Sequence, residues 1–213
     1  LASQDSRDWQ PSPMLPSCYD KTALNIQTER LLLRPLTLSD APGIQRLAGD
    51  REVASTTRDI EHPYEDGMAE RWIDSCLRQG QSGELVHFAL TLATSRAFIG
   101  TATLHLDTDE KAAELSYWVG LVFWNQGYAT EAASAVIRHG FIDLNLDRVY
   151  AAHFTRNPAS GRVLQKAGML YEGSQLGPTV KWGVLENLEL YGVSPAQLEM
   201  GGSTGPINRD SRP

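Results

Sequence analysis

Between Glu114 and Glu131 the sequence sets a lone carboxylate, a glycine-bearing turn and the start of a long periodic helix within eighteen residues. Leu115, Tyr117 and Val119 recur at every second position, the period of a strand, with Glu114 just ahead of them and Gly120 breaking the run. Asn125-Gln126-Gly127-Tyr128-Ala129-Thr130 then leads into the helix. A strand that stops, a turn and a helix start together form an anion site. The first N–H groups of a helix have no acceptor within it, and the helix dipole favours negative charge there. Phosphate is the expected ligand, and a tight turn without a ligand is the alternative. Further on, Asn157-Pro158 reads as an N-cap followed by proline at the first helical position, with Ser160 in the first turn.

The elements that must hold these residues follow from periodicity. Leu31–Leu36 is a first strand, entered through Thr28-Glu29-Arg30. Ser39 is expected to cap a helix that has Pro42 in its first turn and Ile44, Leu47 and Ala48 as its stripe. A second helix is expected from Tyr64 to about Gln79, with Met68, Trp72, Ile73 and Cys76 on one face. Three strands follow, Leu85–Leu92, Ala97–Leu106 and Ala113–Val119, joined by short polar links that suit hairpins. In the central helix Ala129, Ala132, Ala133, Val136, Ile137, Gly140 and Phe141 fall at offsets 0, 3, 4, 7, 8, 11 and 12. Strands at Arg148–Phe154, Met169–Gly173 and Trp182–Val193 complete the pattern, with a short helix from Asn157 to Gly168 between them. The expected fold is mixed α/β, a mostly antiparallel sheet of about seven strands with helices on both faces. Residues 1–24 read as a poorly ordered arm, 25–193 as one domain and 194–213 as a flexible tail.

Composition narrows the class. With 213 residues, 41% hydrophobic and 21% charged, the chain falls among ordinary soluble domains. A net charge of -7 argues against a nucleic-acid partner, though not against a small anion held by backbone amides. Cys18 and Cys76 form neither a metal spacing nor a disulfide framework, so a reducing cytoplasm is the expected setting. No signal-peptide pattern opens the chain, and no run of roughly 18 apolar residues suggests a membrane span. The five histidines are scattered singly, so no metal site is expected. His139 reads as a surface or partly buried residue. Phosphate-loop, dinucleotide-binding and nucleophile-elbow signatures are absent from the sequence.

TERLLLRPL, AELSYWVG, WNQGYATEA, NPASGRVLQKAGM and ENLELYGV, in that order, resemble the GNAT acetyltransferases, most nearly their RimJ/RimL subgroup. The likeness runs from about Leu24 to Val193. It implies acetyl-CoA as cosubstrate, no metal, and a strand splayed near Val119 whose exposed backbone pairs with the pantetheine arm while an amide polarises the acetyl carbonyl. The turn Asn125, Gln126, Gly127, Tyr128, Ala129 and Thr130 then holds the pyrophosphate. Trp124 and Asn125 depart from the family pattern, and asparagine is among the residues that tolerate a left-handed backbone. Glu114 matches the family glutamate and is the candidate base that takes a proton from the amine, directly or through water. Asn157 and Ser160 match Asn-x-x-Ser beside the cofactor thiol. Ser160 is then the candidate proton donor to the departing thiolate, and no tyrosine of its segment competes for the role. Arg162, with Lys166, is placed to reach a CoA phosphate.

Structural readings stand beside each of these roles. Glu114 could be a solvated strand-edge carboxylate near Lys111, Asn157 a helix cap, Ser160 a residue with a local backbone bond, and Arg162 and Lys166 exposed helix charges. The resemblance implies an acetyl-CoA-dependent N-acetyltransferase acting by direct attack. Its acceptor would be a protein or peptide N-terminal amine or a small amine, and a homodimer is left open. A non-catalytic acyl-CoA-binding module is the alternative. The acceptor pocket is expected between the first two helices, the loop Thr56–Pro63 and the hairpin Gln175–Trp182, with Trp118 and Trp124 as possible walls.

Overall fold

The computed structural model describes residues 25–107 and 109–201. The arm expected over 1–24 lies outside them. Strands β1 (Ile26–Gln27), β2 (Leu31–Pro35), β3 (Leu85–Leu92), β4 (Phe98–Asp107), β5 (Ala112–Val119), β6 (Arg148–Phe154), β7 (Leu170–Lys181) and β8 (Val184–Val193) form one sheet in the order β1-β2-β3-β4-β5-β6-β8-β7. Every pairing is antiparallel except β5 with β6. The expected seven strands become eight because the two-residue β1 pairs with Leu32 and Leu33. Among the described residues six helices cover the faces: α1 (Ala41–Ala48), α2 (Arg51–Thr56), α3 (Met68–Ser82), α4 (Tyr128–Ile142), α5 (Pro158–Lys166) and α6 (Pro195–Gly201). None of the described helices is long and apolar enough to cross a membrane.

Helix α4 buries the stripe read from the sequence, with Ala132, Ala133, Val136, Ile137 and Gly140 out of solvent against β2, β4, β5 and β6. The small residues let it lie close: a Cβ on Gly140 would come within 3.1 Å of Leu146. On the opposite face, α1 and α3 bury Ile44, Ala48, Ala69, Ile73 and Cys76 in a second core. Each large aliphatic side chain so buried contributes about 1.5–3 kcal/mol.

Several local expectations change. Ser39 lies inside a 3-10 turn, Leu38–Asp40, and Asp40 precedes α1 instead. The Asp40 carboxylate is buried, accepts the Thr37 N–H at 2.9 Å and pairs with Arg34 at 2.5 Å. The second expected helix starts at Met68, four residues late, because Gly67 takes φ 79 and ends the approach. Glu65 and Asp66 therefore sit before the helix, and a short helix, α2, forms just ahead of the expected loop Thr56–Pro63, where no element was expected. Order also continues past Val193. Ser194 donates from its N–H to Gln197 Oε1 at 2.9 Å, Pro195 opens α6, and Leu198 packs on the main core. Ser-x-x-Gln with proline second is a helix-start signal at the head of the stretch read as a flexible tail, whose remainder, 202–213, lies outside the described residues. His139 is buried under Phe88 and bonded to Asp143 at 2.7 Å.

Candidate active site

The site originates in one parallel pairing that ends early. β5 and β6 are joined only through Ala112, Ala113 and Glu114, opposite Arg148, Val149 and Tyr150. From Leu115 onward β5 pairs with β4 alone, and from Ala151 onward β6 pairs with β8 alone. The opening expected at Val119 therefore begins at Leu115. Along β5, alternation fixes which backbone groups face the gap. The Gly120 N–H donates to Ile99 O on β4 at 2.9 Å, so Val119, one residue earlier, turns its N–H and C=O the other way. Gly120 itself has φ -58, which any residue adopts. Glycine is needed there for space, because a Cβ would lie 2.8 Å from Leu47 on α1.

Past the gap the chain makes the expected turn. Asn125 has φ 60 and Gly127 φ 83, both left-handed. The first helical bond runs from the Glu131 N–H to Gly127 O at 3.0 Å, which leaves the N–H groups of Tyr128, Ala129 and Thr130 without acceptors in the helix. Two features of this turn were not foreseen. Trp124 donates its indole N–H to Val119 O at 2.8 Å, tying the turn to β5 and occupying the carbonyl that faces the gap. Arg30 lies under the turn. Its Nη1 donates to Gln126 O at 2.8 Å, its Nε to Glu131 Oε2 at 2.7 Å, and its guanidinium stacks 4.8 Å from the Tyr128 ring. The other Glu131 oxygen accepts from the Thr28 hydroxyl at 2.6 Å and the Arg30 N–H at 2.8 Å. Burial alone would raise the Glu131 carboxyl, but these bonds outweigh it and hold the group below the usual carboxylate range. Thr28 and Arg30, read only as an approach to the first strand, thus brace the helix start. Gln126 is absent from the lining of the groove along this turn; its side chain donates to Val122 O at 2.9 Å and its carbonyl accepts from Arg30.

A groove of about 270 Å³ runs along this turn and the gap, lined by Val119, Asn125, Gly127 to Thr130, Asn157 and Arg162 among others. Asn157 does cap α5, accepting the Ser160 N–H at 3.3 Å. Ser160 meets a partner the sequence had hidden. Tyr117, forty-three residues earlier on β5, places its hydroxyl 2.8 Å from Ser160 Oγ and donates to Ser160 O at 3.2 Å. Burial pushes the Tyr117 phenol well above its ordinary value, and Ser160 offsets this only in part, so the group stays protonated. The signal was the tyrosine of AELSYWVG; nothing local places it against α5.

The opposite sheet face carries a second cavity, also about 270 Å³. Cross-strand register stacks His87, Thr103 and Ser116 in one row, with Leu85, His105 and Glu114 in the next and Ala89, Thr101 and Trp118 on the other side. Roofing a face this polar with helices requires a use for it, because buried polar groups want partners. Thr103 bonds His87 Nδ1, whereas His87 Nε2 is out of solvent with no partner. Burial, with His105 nearby, lowers the His87 pKa to about 3, so the ring is neutral. The roof comprises α1, α3 and residues 56–60. Glu114 opens into this cavity and binds Arg58 Nη2 at 2.6 Å; its partner is Arg58, and Lys111 makes no ion pair with it among the described residues.

The hairpin expected to wall this cavity braces it from behind. Lys181 on β7 donates to Ile60 O at 2.5 Å and more weakly to Arg58 O at 3.4 Å, and its burial lowers its pKa. Arg156 joins Glu186 at 2.8 Å to Ser55 O at 2.7 Å. Trp118 lines both cavities, and Trp124 only the groove. The two spaces share Thr56, Thr57, Tyr117, Trp118 and Ser160. Among the described residues no cluster of His, Cys, Asp or Glu could hold a metal.

A groove built on helix-start amides that meets a second cavity at a hydroxyl pair suits group transfer between two bound molecules. Residues 30–170 match the family description "Acetyltransferase (GNAT) domain". The chain is 31% identical over 149 residues to an uncharacterised N-acetyltransferase, YoaA of Bacillus subtilis, covering 70% of this chain and 84% of that one. RimL, a ribosomal α-N-protein acetyltransferase solved with coenzyme A, superposes with a TM-score of 0.74 at 16% identity, over 80% of this chain and 98% of its own. Mycobacterium smegmatis RimJ, solved with a CoA disulfide, gives 0.71 at 21% identity, over 79% and 83%. The protein belongs to the GNAT acetyltransferase family and is an N-acetyltransferase by that membership.

Proposed function

We propose that the protein moves an acetyl group from acetyl-CoA to a primary amine, by direct attack with both molecules bound. The observation that carries this reading is the meeting of groove and cavity at Tyr117 and Ser160. The N–H groups of Tyr128, Ala129 and Thr130 suit a pyrophosphate, with Arg162 and Lys166 near enough to add charge. The Val119 N–H, turned into the gap, suits the thioester oxygen as negative charge develops on it. The amine enters from the cavity, its nitrogen bonds the acetyl carbon, and its proton goes to Glu114, directly or through water. The C–S bond then breaks. Ser160 gives its proton to the sulfur and takes one from the Tyr117 phenol, which is protonated at rest and regains its proton from solvent. Asn157 fixes Ser160 by capping its helix. Acceptors of this class include a peptide or protein N-terminus and small amines, in a cytoplasmic setting that the cysteine content supports.

One observation favours the non-catalytic alternative: Trp124 occupies Val119 O, a bond that an incoming pantetheine would otherwise take. Calorimetric titration with acetyl-CoA, followed by a free-thiol assay over amines and short peptides, separates the two. Binding with thiol release on an acceptor is expected. Binding without release on any acceptor would support the binding module, and no binding would overturn both.

A further inference from the structure

Among the described residues Arg58 is the one lysine or arginine lining the cavity on the polar face, alongside two carboxylates, Glu114 and Asp59. Its guanidinium spends one N–H on Glu114 and makes no other hydrogen bond among the described residues. Its backbone is held from behind, because Lys181 binds the carbonyls of Arg58 and Ile60. The side chain is therefore aimed into the cavity by the fold, with donors to spare. Guanidinium is planar and matches carboxylate geometry in a fork. An arginine seated on the candidate base is a poor companion for a polyamine, whose further ammonium groups it would repel. It is a good one for a molecule carrying an anion next to its amine. Such a molecule would leave the Arg58–Glu114 pair intact, its ammonium against Glu114 and its carboxylate across the free N–H groups of Arg58. The polar floor of Thr101, Thr103 and Ser116 and the unpartnered His87 Nε2 can meet the remaining polar atoms.

Resting on the acetyl-transfer reading above, we infer that the acceptor is an α-amino acid or a similarly small amine bearing a carboxylate beside its amino group, and that Arg58 selects it by binding that carboxylate. Trp72, Trp118, Tyr64 and Ile44 give the cavity an apolar side as well, where a side chain would rest. A peptide N-terminus presents a neutral amide at the place where this acceptor presents its anion, so the two classes differ at a single group.

The test measures thiol release from acetyl-CoA by the full-length protein with the twenty protein amino acids, their α-amides and their decarboxylated amines. For the preferred side chain, kcat/KM should fall about tenfold or more from acid to amide, the size of a charge-assisted bond lost, and by roughly a further few-fold from amide to amine, where a neutral bond is lost. In Arg58→Gln the acid should lose its advantage over the amide and the amine through KM, beyond any effect common to all three from the lost Glu114 pair, while acetyl-CoA affinity by calorimetry stays the same. Arg58→Lys should restore part of the preference. Amides or amines that match the acids in the wild type would overturn the inference and leave acetyl transfer standing. So would an Arg58→Gln variant that slows all three classes equally, since Arg58 would then act only on Glu114. Failure of every acceptor, short peptides included, would overturn the acetyl-transfer reading and this inference with it.

Discussion

The groove and the cavity lie on opposite faces of β5, yet they are built from different materials. The groove depends on backbone: three helix-start N–H groups, two left-handed residues and the strand edge at Val119. The cavity depends on side chains, with Glu114, His87 and Ser116 on the sheet and Arg58 above them. A backbone site can accept Trp124 and Asn125 in place of the family's usual residues, because the peptide groups remain where they were. A side-chain site changes its ligand with each substitution. One face is therefore suited to a constant cosubstrate and the other to an acceptor that differs among relatives. The supports differ as well. Thr28, Arg30 and Glu131 brace the groove from the first strand, and Lys181 and Arg156 brace the cavity from the last hairpin.

The contrast breaks most decisively at Gly127. With φ 83 and a Cβ that would lie 3.2 Å from Arg30 Nη2, Gly127→Val strains the turn by about 1–2 kcal/mol or more and blocks a close phosphate. Calorimetry should detect no acetyl-CoA binding at concentrations that saturate the wild type. Unaltered affinity would refute the turn assignment. Glu114→Gln should do the opposite: acetyl-CoA binds as before while kcat/KM falls by about 10²-fold or more. The loss should be greatest at acidic pH and narrow as rising pH deprotonates the free amine. A flat ratio across pH would remove Glu114 as the base.

Tyr117→Phe and Ser160→Ala test the junction. Each should lower kcat by about tenfold, and the double variant should lose less than the product, because the two hydroxyls act on one proton. Multiplicative losses would mean separate roles. The smallest effect is expected at the brace. Glu131→Gln should weaken acetyl-CoA by a few-fold, about 1 kcal/mol, with kcat for bound substrates preserved. The Glu131 carboxyl lies below its unfolded value, so its contribution is complete above the unfolded pKa and is lost as pH falls through the folded one. Thermal melts of wild type and variant should therefore converge in acid and separate toward neutral pH.

Much of the groove was legible because its determinants are local. The 3.6-residue stripe of α4, the asparagine that accepts φ 60, the glycine at φ 83 and the Asn-Pro start of α5 each declare themselves within a few residues. The helix start at Ser194 was equally local and was missed by attention to the glycines after it. Glu114 was identifiable as a lone carboxylate on a strand, but its partner was not, because Arg58 comes from a loop 56 residues away.

The sequence by itself determined the periods, the turn chemistry and the order of elements, and with them the sheet, the central helix and the left-handed turn that opens it. These follow from sterics and hydrogen bonding within a few residues of chain. Tertiary structure alone decided that β5 and β6 part after Glu114, that Tyr117 meets Ser160, that Arg30 lies beneath the turn, and that Lys181 holds Arg58 over Glu114. Those pairings join residues from 36 positions apart, Glu114 with Tyr150, to 123, Arg58 with Lys181. Their energies depend on how the whole sheet twists and packs, and no local pattern encodes that.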